Sequence, residues 1–178
     1  VTPSDWSAQH RQKPFNPLTV KDWTAVLDAT VVKQGTFNLV YHPHGWISNE
    51  QIIKLIDHAV EKHGSAVQFL SFQDVLQRMN QHLLAGQPVR NARGADNGVR
   101  LLDLNNDGFM DVVIGNESVQ KTRIWNPRQQ TWSESGFPTR LVSAPDTEGN
   151  QATRSRFGVL NGEVIVFTLT PEASSAWR

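Results

Sequence analysis

Four side chains with oxygen donors recur at short intervals between two apolar runs, within residues 101–115; they are Asp103, Asn105, Asp107 and Asp111. Carboxylate and amide oxygens at this spacing suit Ca²⁺, which takes about six to eight oxygen ligands in proteins. The backbone carbonyl of Phe109 would add another ligand. An EF-hand is excluded, because Ile114 stands where that motif needs a glutamate. The spacing predicts a structural calcium site, and the alternative is an Asx-rich turn without an ion.

Two histidines, His42 and His44, follow a short β-rich run at residues 36–41. In α/β folds, functional side chains cluster beyond the carboxyl ends of parallel strands. An imidazole there can act as a general acid or base near neutral pH, and His42 stands directly at the strand end. For His44 the alternative is simple packing on Trp46. A two-histidine metal site is the weaker interpretation, because no carboxylate lies close in sequence.

Alternating elements would position these histidines. Residues 1–18 are polar and predict a loop. Apolar spacing predicts helices at about residues 20–33, 48–63 and 71–85, with the capping residues Thr19, Ser48 and Ser71 at their starts. Strands are predicted at 36–41 and 66–70. This order predicts an α/β region, an incomplete parallel barrel or sheet over residues 19–85. Its missing strands would lie upstream, so we expect a piece of a longer protein. His58 and His63 fall off the apolar stripe of their helix and are expected to be solvated.

The pattern changes after a polar stretch at residues 87–97, which predicts a linker. Short strands follow at 99–102, 110–114, 122–125 and 131–133, and a second group at 156–160 and 163–169. Asn161 and Gly162 separate the last two strands and predict a tight hairpin. The two groups predict all-β, antiparallel, propeller-like blades over residues 98–178. The predicted domains are therefore 1–86 and 98–178.

The composition excludes several function classes. The formal net charge is +0, which argues against a nucleic-acid partner. There is no cysteine, so a disulfide, a thiolate metal site and a cysteine nucleophile are all excluded. No apolar run is long enough to predict a transmembrane segment.

The oxygen-rich stretch resembles an FG-GAP/VCBS repeat. The resemblance rests on LDLNNDGFMDVV at residues 102–113, an apolar run on each side of an Asp-x-Asn-x-Asp-Gly-x-x-Asp loop. It implies a β-propeller blade with Ca²⁺ bound between its first two strands, in a protein that is exported or displayed on the cell surface. Residues 154–170 resemble a degenerate blade without the ion loop.

The first half resembles the C-terminal part of a polysaccharide deacetylase of the NodB-homology type. The resemblance rests on GTFNLVYHPHGW at residues 35–46 and VQFLSF at residues 67–72. It implies that His42 is the catalytic acid and that Val40 lines the substrate pocket, with His44 and Trp46 beside it. The family's metal, Zn²⁺ or a similar divalent ion, would be held upstream, because its Asp-Asp and His-x-x-x-His motifs do not occur here.

Together these resemblances predict a fragment of an exported, deacetylase-like carbohydrate esterase joined to calcium-binding repeats. The parent would remove N-acetyl groups from a glycan, while this piece alone is expected to be inactive. Its expected partners are a polysaccharide and the remaining domains of the parent chain. The alternative is a non-catalytic, calcium-binding adhesion or scaffold protein with a decayed deacetylase domain. The presence or absence of the upstream metal motifs discriminates the two.

Overall fold

A computed structural model describes residues 2–42, 45–142, 155–169 and 174–177. The chain divides into two compact units, Val1–Phe69 and Leu70–Arg178. The described residues combine helices with two antiparallel sheets and form no closed barrel. The chain is thus a mixed helix-and-sheet protein. No helix in the described part is both long and apolar enough to cross a membrane.

The first unit is built on three helices, α1 (Asp5–Gln12), α2 (Pro17–Val32) and α3 (Asn49–His58). The last of them continues as a π-helical turn, Ala59–His63, and then as a 3-10 turn, Gly64–Ala66. Apolar side chains of α2, α3 and the segments beside them form one core; its buried members are Trp23, Leu27, Ile47, Leu55 and Ala59. This core fixes which faces of α2 and α3 meet.

The polar N-terminal stretch is partly helical, so the prediction of a loop over residues 1–18 was wrong. Ser4 caps α1 by accepting a hydrogen bond from Ser7 N, and Ala8 packs on the core. Such a short helix buries too few apolar side chains to produce a periodic pattern. The second helix begins at Pro17, with Asn16 as its N-cap instead of the predicted Thr19. The capping box predicted at Ser48 is confirmed.

The two strands predicted in the first half do not form a parallel sheet. Residues 36–41 are non-helical, and their only ladder contact in the described part is a parallel bridge between Ser4 and Val40. Residues 67–70 also lack a paired neighbour among the described residues. A strand is stabilised by hydrogen bonds to a neighbouring strand, and β propensity alone does not supply that neighbour.

The second unit starts with a helix. Its α-helical part is α4 (Phe72–Arg78), and a π-helical turn, Met79–Leu83, extends it. The predicted cap at Ser71 is confirmed, since Ser71 and Asp74 form a capping box. Leu84 is buried with Val99 and residues of the first sheet, and this packing groups the helix with the strands. The stretch predicted as a linker folds back on itself through an antiparallel bridge between Arg90 and Asp96.

The described residues of the second unit form seven strands. A four-stranded meander contains β1 (Val99–Leu102), β2 (Asp111–Gly115), β3 (Gln120–Asn126) and β4 (Thr131–Gly136), each paired with the next. A three-stranded sheet contains β5 (Ser155–Leu160), β6 (Glu163–Leu169) and β7 (Ser174–Trp177). The predicted hairpin is confirmed: β5 and β6 pair across Asn161 and Gly162, whose φ angles of 55° and 82° fit a tight hairpin turn.

Candidate functional site

The oxygen-rich loop connects β1 to β2 of the four-stranded sheet. Asp103 directly follows β1, and its two carboxylate oxygens accept hydrogen bonds from Asp107 N at 3.0 Å and Gly108 N at 2.8 Å. Asn105 Oδ1 accepts a second hydrogen bond from Asp107 N, at 3.2 Å. Positive φ angles at Asn106 (57°) and Gly108 (84°) let the backbone curl around these oxygens. The loop is therefore closed by its own side chains.

Asp111 anchors the loop to the sheet and is fully buried. Its Oδ2 accepts a hydrogen bond from Leu104 N at 2.9 Å, and its Oδ1 accepts one from Trp125 N at 2.8 Å. Burial raises the pKa of Asp111, and the nearby charges of Asp107 and Asp103 raise it further, against the lowering effect of the two hydrogen bonds. Asp111 thus joins the start of the loop to β3 at an electrostatic cost.

The donor set of this loop fits Ca²⁺ in type but is not gathered into a compact cluster. Asp103, Asn105, Asp107 and Asp111 offer the hard oxygens that calcium prefers. The carboxylate oxygens of Asp103, Asp107 and Asp111 do not, however, all lie within 4.8 Å of one another. Among the described residues, one other group of potential ligands meets this distance. Asp103 Oδ1 and Asn105 Oδ1 already converge on the same donor, Asp107 N, so binding would require the carboxylates of the loop to approach one another.

His42 lies against a carboxylate from the N-terminal helix. Its Nδ1 is 3.0 Å from Oδ1 of Asp5, and its backbone N donates to Oδ2 of the same residue at 2.6 Å. Burial acts to raise the pKa of Asp5, but these hydrogen bonds outweigh it and hold the pKa below its usual value. The Asp5 side chain is 0% exposed and that of His42 is 45% exposed. A buried carboxylate therefore orients an imidazole that solvent reaches.

The other residues predicted around His42 lie in different surroundings. Trp46 is half-buried, and its ring meets that of His42 edge-on with 5.2 Å between the ring centroids. Val40 is 41% exposed, and its backbone pairs with the segment that carries Asp5. His44 lies outside the described residues. The structure therefore brings Trp46 to His42, while Asp5 is a partner that the sequence analysis did not predict.

A second cluster joins two helices of the first unit. Asp28 on α2 places Oδ1 2.7 Å from Nε2 of His58 and 2.7 Å from Nε2 of His63. Its Oδ2 accepts a hydrogen bond from Nζ of Lys62 at 2.7 Å. Among the described residues, Asp28, His58 and His63 are the one group of His, Asp or Glu side chains close enough together to share a metal ion. The prediction that His58 and His63 are simply solvated was wrong.

The partners of Asp28 stabilise its charged form. The hydrogen bond from Lys62 has the largest effect on the pKa of Asp28. Together with the hydrogen bonds to His58 and His63, it holds that pKa far below its usual value.

Nothing in the sequence pairs residue 28 with residues 58 and 63. The nearest signal is the pair of histidines five residues apart on one helix. That spacing points two side chains apart in a regular α-helix, and a π-helical turn changes it.

Comparison of the chain with protein-family models, with curated proteins and with solved structures finds no match. The functional proposals below therefore depend on the geometry of the three sites and on the motifs that the sequence carries.

Proposed function

We propose that the second unit is a calcium-binding β module of the FG-GAP/VCBS type, part of a propeller-like domain of an exported protein. The observation that carries this proposal is the position of the loop. Residues 103–110 connect the first two strands of a four-stranded antiparallel meander, which is where the resemblance puts the ion.

The proposed ligands are the side chains of Asp103, Asn105 and Asp107 and the backbone carbonyl of Phe109. Asp111 completes the set through the lone pairs that its two backbone hydrogen bonds do not use. A divalent cation would offset the repulsion among these carboxylates, which contributes to the raised pKa of Asp111. The role of the ion is structural: it holds the β1–β2 connection closed against the sheet.

Thermal unfolding of the full chain tests the calcium site. If calcium binds only the folded state, calcium at about a hundred times its dissociation constant stabilises it by about 2.7 kcal/mol. We expect the melting temperature of chelator-treated protein to rise on adding Ca²⁺, and the Asp107→Ala substitution to abolish the rise. Asp57→Ala, which removes an exposed carboxylate from α3, serves as the control and should leave the rise intact. No rise in the wild-type protein would favour a bare Asx-rich turn.

A second proposal concerns the first unit. We infer that it belongs to a deacetylase-type esterase acting on a glycan, with His42 as the general acid. The contact with Asp5 supports this role. When Nδ1 carries the proton that Asp5 accepts, Nε2 is the nitrogen that exchanges protons with a leaving amine. Trp46 packs beside the imidazole and would form part of the pocket wall, together with Val40 and His44. Metal activation of water would come from residues upstream of this sequence.

Activity of a parent chain that contains the upstream metal motifs tests this second role. We expect His42→Ala to abolish release of acetate from an N-acetylated polysaccharide while circular dichroism shows an intact fold. His10→Ala, on the exposed side of α1, is the control. Undiminished turnover by His42→Ala would remove His42 from the mechanism. A parent chain without those motifs would instead favour a calcium-binding adhesion or scaffold protein.

A further inference from the structure

We propose that Asp28, His58 and His63 form a Zn²⁺ site in the first unit, with water as the fourth ligand. The three donors are one carboxylate oxygen and two imidazole Nε2 atoms, all within 4.8 Å of one another. Two histidines and a carboxylate suit zinc, and three protein ligands leave one coordination position open to solvent. This site is separate from both proposals above: it shares no residue with the calcium loop or with His42.

The geometry needs only a small adjustment to accept the ion. Both Nε2 atoms lie 2.7 Å from the same oxygen of Asp28. Tetrahedral zinc with bonds of about 2.0–2.1 Å separates its ligand atoms by about 3.3 Å, so each of these two N–O pairs must open by about 0.6 Å. Side-chain torsions supply such a movement without a change in the helices. The hydrogen atoms now shared with Asp28 would be replaced by the metal.

The backbone itself is arranged to bring the two histidines together. Residues five apart in a regular α-helix point about 140° away from each other around the axis. The π-helical turn Ala59–His63 changes this rotation, and the rings of His58 and His63 come to lie 5.9 Å apart between centroids. Single π-helical turns are uncommon and occur frequently at functional sites. The π-helical turn thus brings His58 and His63 together as a pair of potential ligands.

Partial exposure of the three ligands lets an ion reach them, whereas a nearby positive charge opposes its binding. The side chains of His58, Asp28 and His63 are 27%, 30% and 14% exposed, so the ligand atoms are partly shielded but reachable. Lys62 contacts the second oxygen of Asp28 and is 54% exposed. Its positive charge repels a cation at the other oxygen. Lys62 is therefore expected to weaken zinc binding. If the cluster is a metal site, removal of the Lys62 charge should strengthen zinc binding; a simple ion-pair cluster predicts no such gain.

Calorimetric titration of the full chain with ZnCl₂ tests the proposal. We expect one binding event, weakened at least tenfold by His58→Ala, by His63→Ala and by Asp28→Asn. Lys62→Met should instead tighten binding, an effect that misfolding would not produce. His82→Ala is the matched control, since His82 is exposed on the other π-helical turn, Met79–Leu83. Far-UV circular dichroism of each variant verifies the helices.

Two outcomes would overturn the proposal. One is the absence of any zinc binding to the wild-type chain. The other is zinc binding that His58→Ala and His63→Ala leave unchanged, which would place the ion elsewhere. Asp107→Ala checks the calcium loop as such an alternative zinc site, and it is expected to have no effect on the zinc titration.

Discussion

The two clusters of potential metal ligands differ in how the chain assembles them. The proposed calcium loop would take all its donors from nine consecutive residues, 103–111, at the connection of two neighbouring strands. The cluster in the first unit joins Asp28 to two histidines about thirty residues away, through the packing of α2 against α3. A local site depends on turn geometry, whereas a nonlocal site depends on the core that holds its helices together. Substitutions in the core and in the loop should therefore affect the two sites differently.

The largest expected effect comes from the core under the nonlocal cluster. Leu55 on α3 is 5% exposed and packs with Trp23 and Leu27 of α2. Leu55→Ala should destabilise the first unit by about 3 kcal/mol, because it leaves a cavity between the two helices. Urea unfolding of the full chain measures this loss. Zinc affinity should fall, and the rise of the melting temperature with calcium should remain. Equal losses at both sites would contradict the difference between a local and a nonlocal site.

The second largest loss of stability is expected at Asp111, which anchors the loop between β1 and β2. Asp111→Ala removes the acceptor of two backbone hydrogen bonds, from Leu104 N and Trp125 N. The expected cost is about 2 kcal/mol, because hydrogen bonds to a buried charge are lost while the penalty of burying that charge is relieved. Chemical denaturation of calcium-free protein measures it. An unchanged midpoint would mean that β1 and β2 hold the loop without Asp111.

A smaller effect is expected at the cap of α3. The Ser48 side chain accepts a hydrogen bond from Gln51 N at 3.3 Å, and Gln51 Oε1 accepts one from Ser48 N at 3.1 Å. Ser48→Ala should cost about 1 kcal/mol. Because the cap lies at the opposite end of α3 from His58, zinc affinity should be nearly unchanged. A strong loss of zinc binding would show that the cluster depends on the whole helix.

The pH dependence of the Asp5–His42 contact should be the most modest effect. The pKa of Asp5 is lowered in the folded chain from its ordinary value of 3.8. The stability that this contact contributes is therefore complete above about pH 4 and is lost as the pH falls through the lowered value. We expect the stability difference between wild type and Asp5→Asn to shrink on going from pH 6 to pH 3, as measured by urea unfolding. A constant difference would contradict a charged Asp5.

The sequence predicted the parts of the molecule that short-range patterns determine. The first four-stranded group, the Asn161-Gly162 hairpin and the capping boxes at Ser48 and Ser71 all depend on neighbouring residues, and all are present. The same reasoning failed where the outcome depends on distant partners. The strands predicted at 36–41 and 66–70 have no sheet to join among the described residues.

The sites follow the same rule. Residues 103–111 can be predicted as a site from the sequence because their spacing is itself the signal. The contact of Asp28 with His58 and His63 arises instead from helix packing and a π-helical turn. Asp5 was missed as a partner of His42 for a similar reason, since the bridge between Ser4 and Val40 brings it there. No local pattern encodes either contact, because each depends on which faces meet in the folded chain.

A crossed titration of one set of proteins with Ca²⁺ and with Zn²⁺ tests whether the chain carries two separate metal sites. The wild-type chain should bind both ions, Asp107→Ala should lose only the calcium response, and His58→Ala should lose only the zinc response. This result would establish two independent sites of different ligand chemistry. A calcium response that Asp107→Ala leaves unchanged would contradict the account, because the loop between β1 and β2 would then not be the calcium site.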